Sequence, residues 1–183
     1  YKTASTHRRS KELQLCIQAA IAIEILIFAP MRISNLQNLR LDQHISWQNK
    51  QAVIHIPRGQ VKNDINLVFE LPLTLSQRIQ TYIRDWRTLY TEGANPYLFP
   101  GRKMNPKDGT RLRRQISNAL WDEAGIKLTP HQFRHAAAKI LLDAKPGHYE
   151  VVRKILGHKN LTTTYSHYAG AETQAALDLY DEV

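Results

Sequence analysis

Apolar residues recur at three- and four-residue steps over 10–28, where Leu13, Ile17, Ala20, Ile21, Ile25 and Phe28 form one stripe. The pattern predicts a helix with Ser10 as N-cap and Leu13 as its first buried position. Ala29-Pro30 stops it, because proline disfavours helical geometry in the residue before it. A shorter helix is expected over 32–40, with Ile33, Leu36 and Leu39 on one face. The period then changes. Residues 52–56 and 67–71 alternate and are rich in β-branched and aromatic residues, with Arg58-Gly59-Gln60 and Lys62-Asn63-Asp64 between them, so they predict a β-hairpin with a polar tip, closed by Pro72. Helix returns at 74–91, with Leu75, Ile79, Tyr82, Ile83, Trp86 and Leu89 as its stripe. Glycines and prolines make 92–109 a loop. Further helices are expected at 110–124, 131–143, 149–156 (ended by Gly157) and, in the alanine-rich tail, 171–182. The chain thus reads as mainly α with a small antiparallel β-sheet or hairpin, an α+β arrangement.

Charge adds a direction. Lys+Arg number 25 against 16 Asp+Glu, a net charge of +9 on 183 residues, which points to a polyanionic partner, nucleic acid ahead of a membrane surface. No apolar run approaches the ~20 residues that span a bilayer; the longest, 21–30, contains Glu24 and ends in proline. A single cysteine, Cys16, excludes an intramolecular disulfide scaffold and a multi-cysteine metal site, fits a reducing compartment, and is expected to be a small buried hydrophobe. The chain begins at Tyr1 and its only methionines are Met31 and Met104, so it reads as a piece of a longer protein.

Polar clusters interrupt the core pattern. Arg32 stands at the start of a helix, where a cation opposes the helix dipole; it is either solvated or serving an anion supplied from elsewhere. His131, Arg134 and His135 share one helical face by the i, i+3, i+4 rule, either as a solvated face or as a site. Two histidines four apart lack the glutamate that follows the first in zinc proteases, and no metal is expected. Gly157-His158 ends a helix, Tyr165 and Tyr168 follow, and Lys62 sits on the hairpin tip. Together these groups suit a pentavalent phosphate. Two guanidiniums can bind its non-bridging oxygens. A tyrosine can attack phosphorus, and a histidine and a lysine can move the protons. This chemistry requires neither metal nor cofactor.

Pieces of the chain then fall into a known order. MRISNLQNLRLD resembles the first arginine box of the tyrosine recombinase (phage-type integrase) family. The hairpin with Lys62, NPYLFP, the basic helix, LTPHQFRHAAAKILL as the His-x-x-Arg-His box and ILGHKNLTTTYSHYAG as the Leu-Gly-His…Tyr box follow in the family's order. The resemblance covers nearly the whole chain and implies the catalytic-domain fold of that family. It departs in three places. Pro30-Met31 replaces Gly-Leu or Gly-Met, Asn35 stands where an acidic residue is common, and RGQVKNDIN replaces a Thr-Lys-x-Gly pattern.

The resemblance implies a role for each residue. Arg32 and Arg134 clamp the scissile phosphate, Lys62 protonates the 5′ leaving oxygen, His131 acts as general base and His158 hydrogen-bonds a phosphate oxygen. Tyr168, ten residues after His158, attacks phosphorus and forms a 3′-phosphotyrosyl link, so strands are cut and rejoined without ATP; Tyr165 is the alternative nucleophile, and Lys50 the competitor of Lys62. Arg111, Arg113 and Arg114 on the basic helix are expected to grip double-stranded DNA, mostly through phosphate. The expected function is site-specific recombination or integration of DNA, with type IB topoisomerase-like cleavage and a non-catalytic DNA-binding module as alternatives. Residues 1–9 are read as an interdomain linker remnant and 10–183 as the catalytic domain, the family's N-terminal core-binding domain being absent. Self-association as a tetramer on DNA, with 171–182 either docking on a neighbouring protomer or packing on its own domain, and a cytoplasmic setting, on a bacterial nucleoid or encoded by a phage or mobile element, complete the expectation.

Overall fold

The computed structural model describes residues 2–90, 94–162 and 164, with side chains from Lys11 onward and Tyr90 excepted. Tyr165, Tyr168 and the expected helix 171–182 lie outside the described residues.

Helix α1 runs from Lys2 to Phe28, so Ser10 lies within it and does not cap it. No glycine or proline occurs in that stretch, and a serine caps only where the chain before it leaves helical geometry. The buried face is partly turned from the expected stripe. Ile21 and Ile25 are buried as expected, together with Gln18, Ala19, Ala22 and Leu26, whereas Leu13 and Phe28 are 52% and 50% exposed. Residues 19–28 are apolar all round apart from Glu24, so periodicity cannot choose a face and tertiary packing does. Packing turns Gln18 inward, where its Nε2 donates to the Tyr82 hydroxyl at 3.0 Å; that hydroxyl donates to the Leu98 carbonyl at 3.2 Å. Cys16 falls away from this face and is exposed, contrary to expectation.

Helix α2 is short, Ile33–Gln37. It stops before residue 40 because Leu39 and Leu41 are claimed by the NPYLFP segment: Leu98 N donates to Leu39 O and Leu41 N to Pro96 O, each at 2.8 Å. The sheet has three antiparallel strands in sequence order, β1 (Ile45–Gln48), β2 (Gln51–Ile56) and β3 (Leu67–Glu70). The expected hairpin is β2–β3, with Ile54 opposite Phe69 and Ile56 opposite Leu67. Strand β1 was not legible. It is four residues long with only Ile45 buried, and it turns into β2 through Asn49-Lys50 without the Asn-Gly signal. Both turn residues have positive φ, 49° and 68°, as a two-residue hairpin loop of type I′ requires.

Helix α3 (Leu73–Thr81) continues through a π-type turn at Tyr82–Trp86 and a final 3-10 turn at Arg87–Tyr90. Leu75, Ile79 and Tyr82 are buried as the stripe predicts, but the wider turn rotates the residues beyond it, and Leu89 is exposed. Asp108 caps α4 (Gly109–Ala124) by accepting from the Arg111 N–H at 3.0 Å. Leu112 and Ile116 face inward from it. Helix α5 (Pro130–Ala144) starts with Gln132 Oε1 folded back onto the Thr129 N–H at 2.7 Å. Helix α6 (Tyr149–Leu156) ends at Gly157.

Helix α1 packs against α3, α4 and α5. The main core gathers Ile25, Leu26, Met31, Leu36, Ile54, Leu75, Ile79, Phe99 and Leu112, and takes in Phe133 from the start of α5. A second, smaller core lies between α5 and α6 and contains Ala138, Leu142, Tyr149, Val152 and Leu156. The residues of interest gather along the seam between the two.

Candidate active site

Arg134 is 4% exposed on α5, between Phe133 of the main core and Ala138 of the smaller one. Its Nη1 donates to the Pro30 carbonyl at 2.7 Å, and its Nη2 donates to the Leu156 carbonyl. One guanidinium therefore joins the corner before α2 to the C-terminal end of α6, and it brings the first arginine box, the His-x-x-Arg-His box and the Leu-Gly-His box to one place.

Arg32 lies two residues beyond the carbonyl that Arg134 holds, in extended geometry (φ −67°, ψ 149°) just before α2. Its Nη1 is buried without a hydrogen-bond partner. Burial holds the guanidinium below its ordinary pKa, which means the charged form is poorly solvated where it stands. A buried cationic donor without an acceptor is costly, and an anion would relieve that cost.

The loop between β2 and β3 carries Lys62, which is exposed, and is fastened on both sides of it. On one side Gln60 Oε1 lies 2.7 Å from His44 Nε2, and Val61 is buried in the main core. On the other, Asn63 Nδ2 donates to the Gly157 carbonyl at 2.7 Å, next to His158. The polar hairpin tip is thus tied to both the α2 side and the α6 side. Lys50 sits in the β1–β2 turn at the opposite end of β2, a strand of six residues and hence about 20 Å long.

His131 and His135 share the exposed start of α5. Their Nε2 atoms are 3.1 Å apart and their rings meet edge to face, so one Nε2 carries the proton and the other accepts it. His158 Nδ1 lies 2.9 Å from the hydroxyl of the buried Thr164, which fixes the imidazole plane. Arg111, Arg113 and Arg114 are exposed on α4, beyond the inward-facing Leu112 and Ile116. Among the described residues, no three of His, Cys, Asp and Glu stand together as metal ligands would. No described helix is long and apolar enough to cross a membrane.

An adjoining cavity of about 510 Å³ is lined among others by Asn35 and Lys62, which the sequence had singled out, and by Arg40, His44, Gln60 and Tyr97, which it had not. Asn35 is 7% exposed and its Nδ2 has no partner. The far wall depends on NPYLFP. Arg87 donates to the Tyr97 carbonyl at 2.9 Å and also to that of Asn95, and Asn95 in turn caps the Lys103 and Asn105 carbonyls at 2.9 Å each. The Arg40 guanidinium lies 5.7 Å from the centre of the Tyr97 ring and is held by Asp42 at 2.7 Å. In the sequence, only Lys62 and the amide at 35 pointed to members of this cavity, and neither disclosed the cavity itself.

Residues 5–175 match the phage integrase family, and the chain belongs to that family. It is 31% identical over 163 residues to a tyrosine recombinase of Pseudothermotoga lettingae, which covers 86% of this chain and 52% of the relative. It is 28% identical over 142 residues to the tyrosine recombinase XerA of Pyrococcus horikoshii, covering 76% and 46%. The chain thus spans about half the length of the curated relatives it matches. Among solved structures it superposes on XerH site-specific recombinase bound to its difH substrate, with TM-score 0.66, 22% identity and coverage of 82% of this chain and 42% of that one. On XerA recombinase the TM-score is 0.64 at 23% identity, covering 90% and 63%. The mainly helical fold with a small antiparallel sheet is therefore that of tyrosine recombinase catalytic domains.

Proposed function

We propose that this chain is the catalytic part of a tyrosine-type site-specific recombinase or integrase that cuts and rejoins double-stranded DNA. The observation that carries the reading is Arg32, a half-buried cation whose Nη1 is buried and unpaired, two residues from the carbonyl that Arg134 holds. A scissile phosphate between these guanidiniums offers the acceptor that Arg32 lacks, and its charge grows in the transition state, where such donors count most. Tyr168 Oη attacks phosphorus, the phosphorus–O5′ bond breaks, and the 3′-phosphotyrosyl bond forms in its place. Lys62 gives its proton to the leaving 5′ oxygen. His131 takes the phenolic proton, and when it donates Nε2–H to His135 its Nδ1 lone pair is the one that receives it. His158 donates from Nε2 to a phosphate oxygen when the Thr164 hydroxyl donates to Nδ1. The phosphotyrosyl link keeps the energy of the phosphodiester, so a 5′ hydroxyl can reverse the step without ATP, metal or cofactor.

Arg111, Arg113 and Arg114 supply phosphate contacts along the duplex. Residues 1–9 act as the link to a core-binding domain, 171–182 docks on a neighbouring protomer in a DNA-bound tetramer, and the protein works in the cytoplasm. The test is covalent capture. With the full-length protein and cellular DNA, a protease-resistant tyrosine–DNA adduct is expected, its sequenced DNA defines the site, and a nicked suicide substrate bearing that site traps the same adduct. Tyr168→Phe abolishes it and Tyr165→Phe does not. Loss in Tyr165→Phe alone moves the nucleophile, and absence of any adduct overturns the reading.

A further inference from the structure

The cavity beside Lys62 is lined by amide, hydroxyl and cationic side chains, and one buried histidine decides which end of Gln60 is left to it. His44 is 4% exposed. The Arg40 backbone N–H donates to its Nδ1 at 3.0 Å, so that nitrogen holds a lone pair and the ring proton sits on Nε2. Nε2–H must then donate to Gln60 Oε1, 2.7 Å away. The Gln60 amide oxygen is thereby used, and its NH₂ group is what remains to offer. Asn35, with its buried Nδ2 unpartnered, and the exposed Lys62 also line the cavity. No carboxylate is among the described residues that line the cavity. Its volume of about 510 Å³ lies within the roughly 300–1,000 Å³ of ligand pockets and is ample for a phosphate group. At position 35 the family resemblance leads one to expect an acid, an acceptor; this chain has turned it into a donor.

We propose that this cavity seats a second backbone phosphate of DNA, on the leaving-strand side of the scissile bond, with Asn35 Nδ2 and Gln60 Nε2 donating to its oxygens beside Lys62. The assignment to the leaving strand rests on the reading of Lys62 given above; the phosphate seat itself rests on the donors. No bond is made or broken there. The phosphate positions the strand, so Asn35 and Gln60 are positioning residues.

The test uses the full chain and a generic 20-base-pair duplex, with binding followed by fluorescence anisotropy across a range of salt concentrations. Asn35→Asp and Gln60→Glu put an acceptor where a donor is expected, and Gln60→Glu still accepts from His44. Each weakens binding about tenfold and makes the log–log salt slope shallower by about 0.9, one phosphate contact. Asn35→Ala weakens it severalfold without a change of charge. Gln48→Glu, which makes the same charge change on exposed β1 away from the cavity, serves as control. Thermal melts identify any variant that has lost its fold. If Asn35→Ala binds as the wild type and the two acidic variants match the Gln48 control, the phosphate seat is wrong. A phosphotyrosyl adduct together with that result leaves the recombinase reading standing. Cavity-dependent binding without any adduct does the reverse.

Discussion

Two arginines in one site have opposite relations to stability. Arg134 is buried and bonded to two backbone carbonyls, so Arg134→Met orphans both acceptors and is expected to cost about 3 kcal/mol or more of folding stability. Arg32 has a buried donor without an acceptor, and burial already lowers its pKa. Arg32→Met is expected to leave stability unchanged or raise it by up to about 1 kcal/mol, while adduct formation falls by a factor of about 10² or more. Chemical denaturation beside the suicide-substrate assay checks both, and a large loss of stability in Arg32→Met would mean that its role is structural. Lys107 gives a pH signature. Burial, and then the charge of Arg111, lower its pKa from 10.5 to about 8, and its ammonium donates to Gln18. The unfolded chain keeps this proton to about pH 10.5 and the folded chain releases it near pH 8, so unfolding takes up a proton in between and stability rises with pH across that window. Denaturation midpoints at pH 7 and pH 9.5 should therefore move in favour of the wild type relative to Lys107→Met.

At the scale of elements, two helix ends look alike in sequence and differ in what they hold. Gly125 after α4 and Gly157 after α6 both have positive φ, 66° and 59°. A Cβ at Gly125 meets nothing within 4 Å, whereas at Gly157 it would lie 2.8 Å from Leu67 Cδ2 on β3. Gly125→Ala is expected to cost about 1 kcal/mol, the left-handed penalty alone. Gly157→Ala should cost distinctly more, about 2–3 kcal/mol, and should also weaken cleavage, because Asn63 holds the Lys62 loop to the Gly157 carbonyl. Equal losses in urea titrations would show that the α6–sheet contact is slack.

The same elements show what a sequence can and cannot disclose. Turn residues and strong periodicity placed α4, α5, α6 and the β2–β3 hairpin within a residue or two. The face of α1 was only half right, with Ile21 and Ile25 in the core but Leu13, Ala20 and Phe28 exposed, because a segment apolar all round has no preferred face until something packs on it. Strand β1 was missed because its partner, not its own four residues, makes it a strand. Of the candidate site residues, His131 and Arg134 stood out by helical spacing and Arg32 as a cation at a helix start, while His158 and the role of each came from the family resemblance. The cavity was invisible because His44, Gln60 and Asn35 are a sequence-distant set whose meaning depends on which ring nitrogen carries a proton.

Viewed whole, the described residues form two apolar cores joined by polar contacts: Arg134 to Pro30 and Leu156, and Asn63 to Gly157. The core between α5 and α6 is much the smaller of the two, so α6 should open without the rest of the fold, at a free energy below that of global unfolding. Amide hydrogen exchange reads this directly. Backbone amides of α6 and of the second half of α5 should exchange orders of magnitude faster than those of α1 around Ala22 and Ile25, and a bound phosphate should slow the first set while leaving the second unchanged. Uniform exchange across both sets would mean that the cores open as one. If they open separately, the clamp at the seam is also a clasp: the ligand that completes the site is the one that makes the chain mechanically whole.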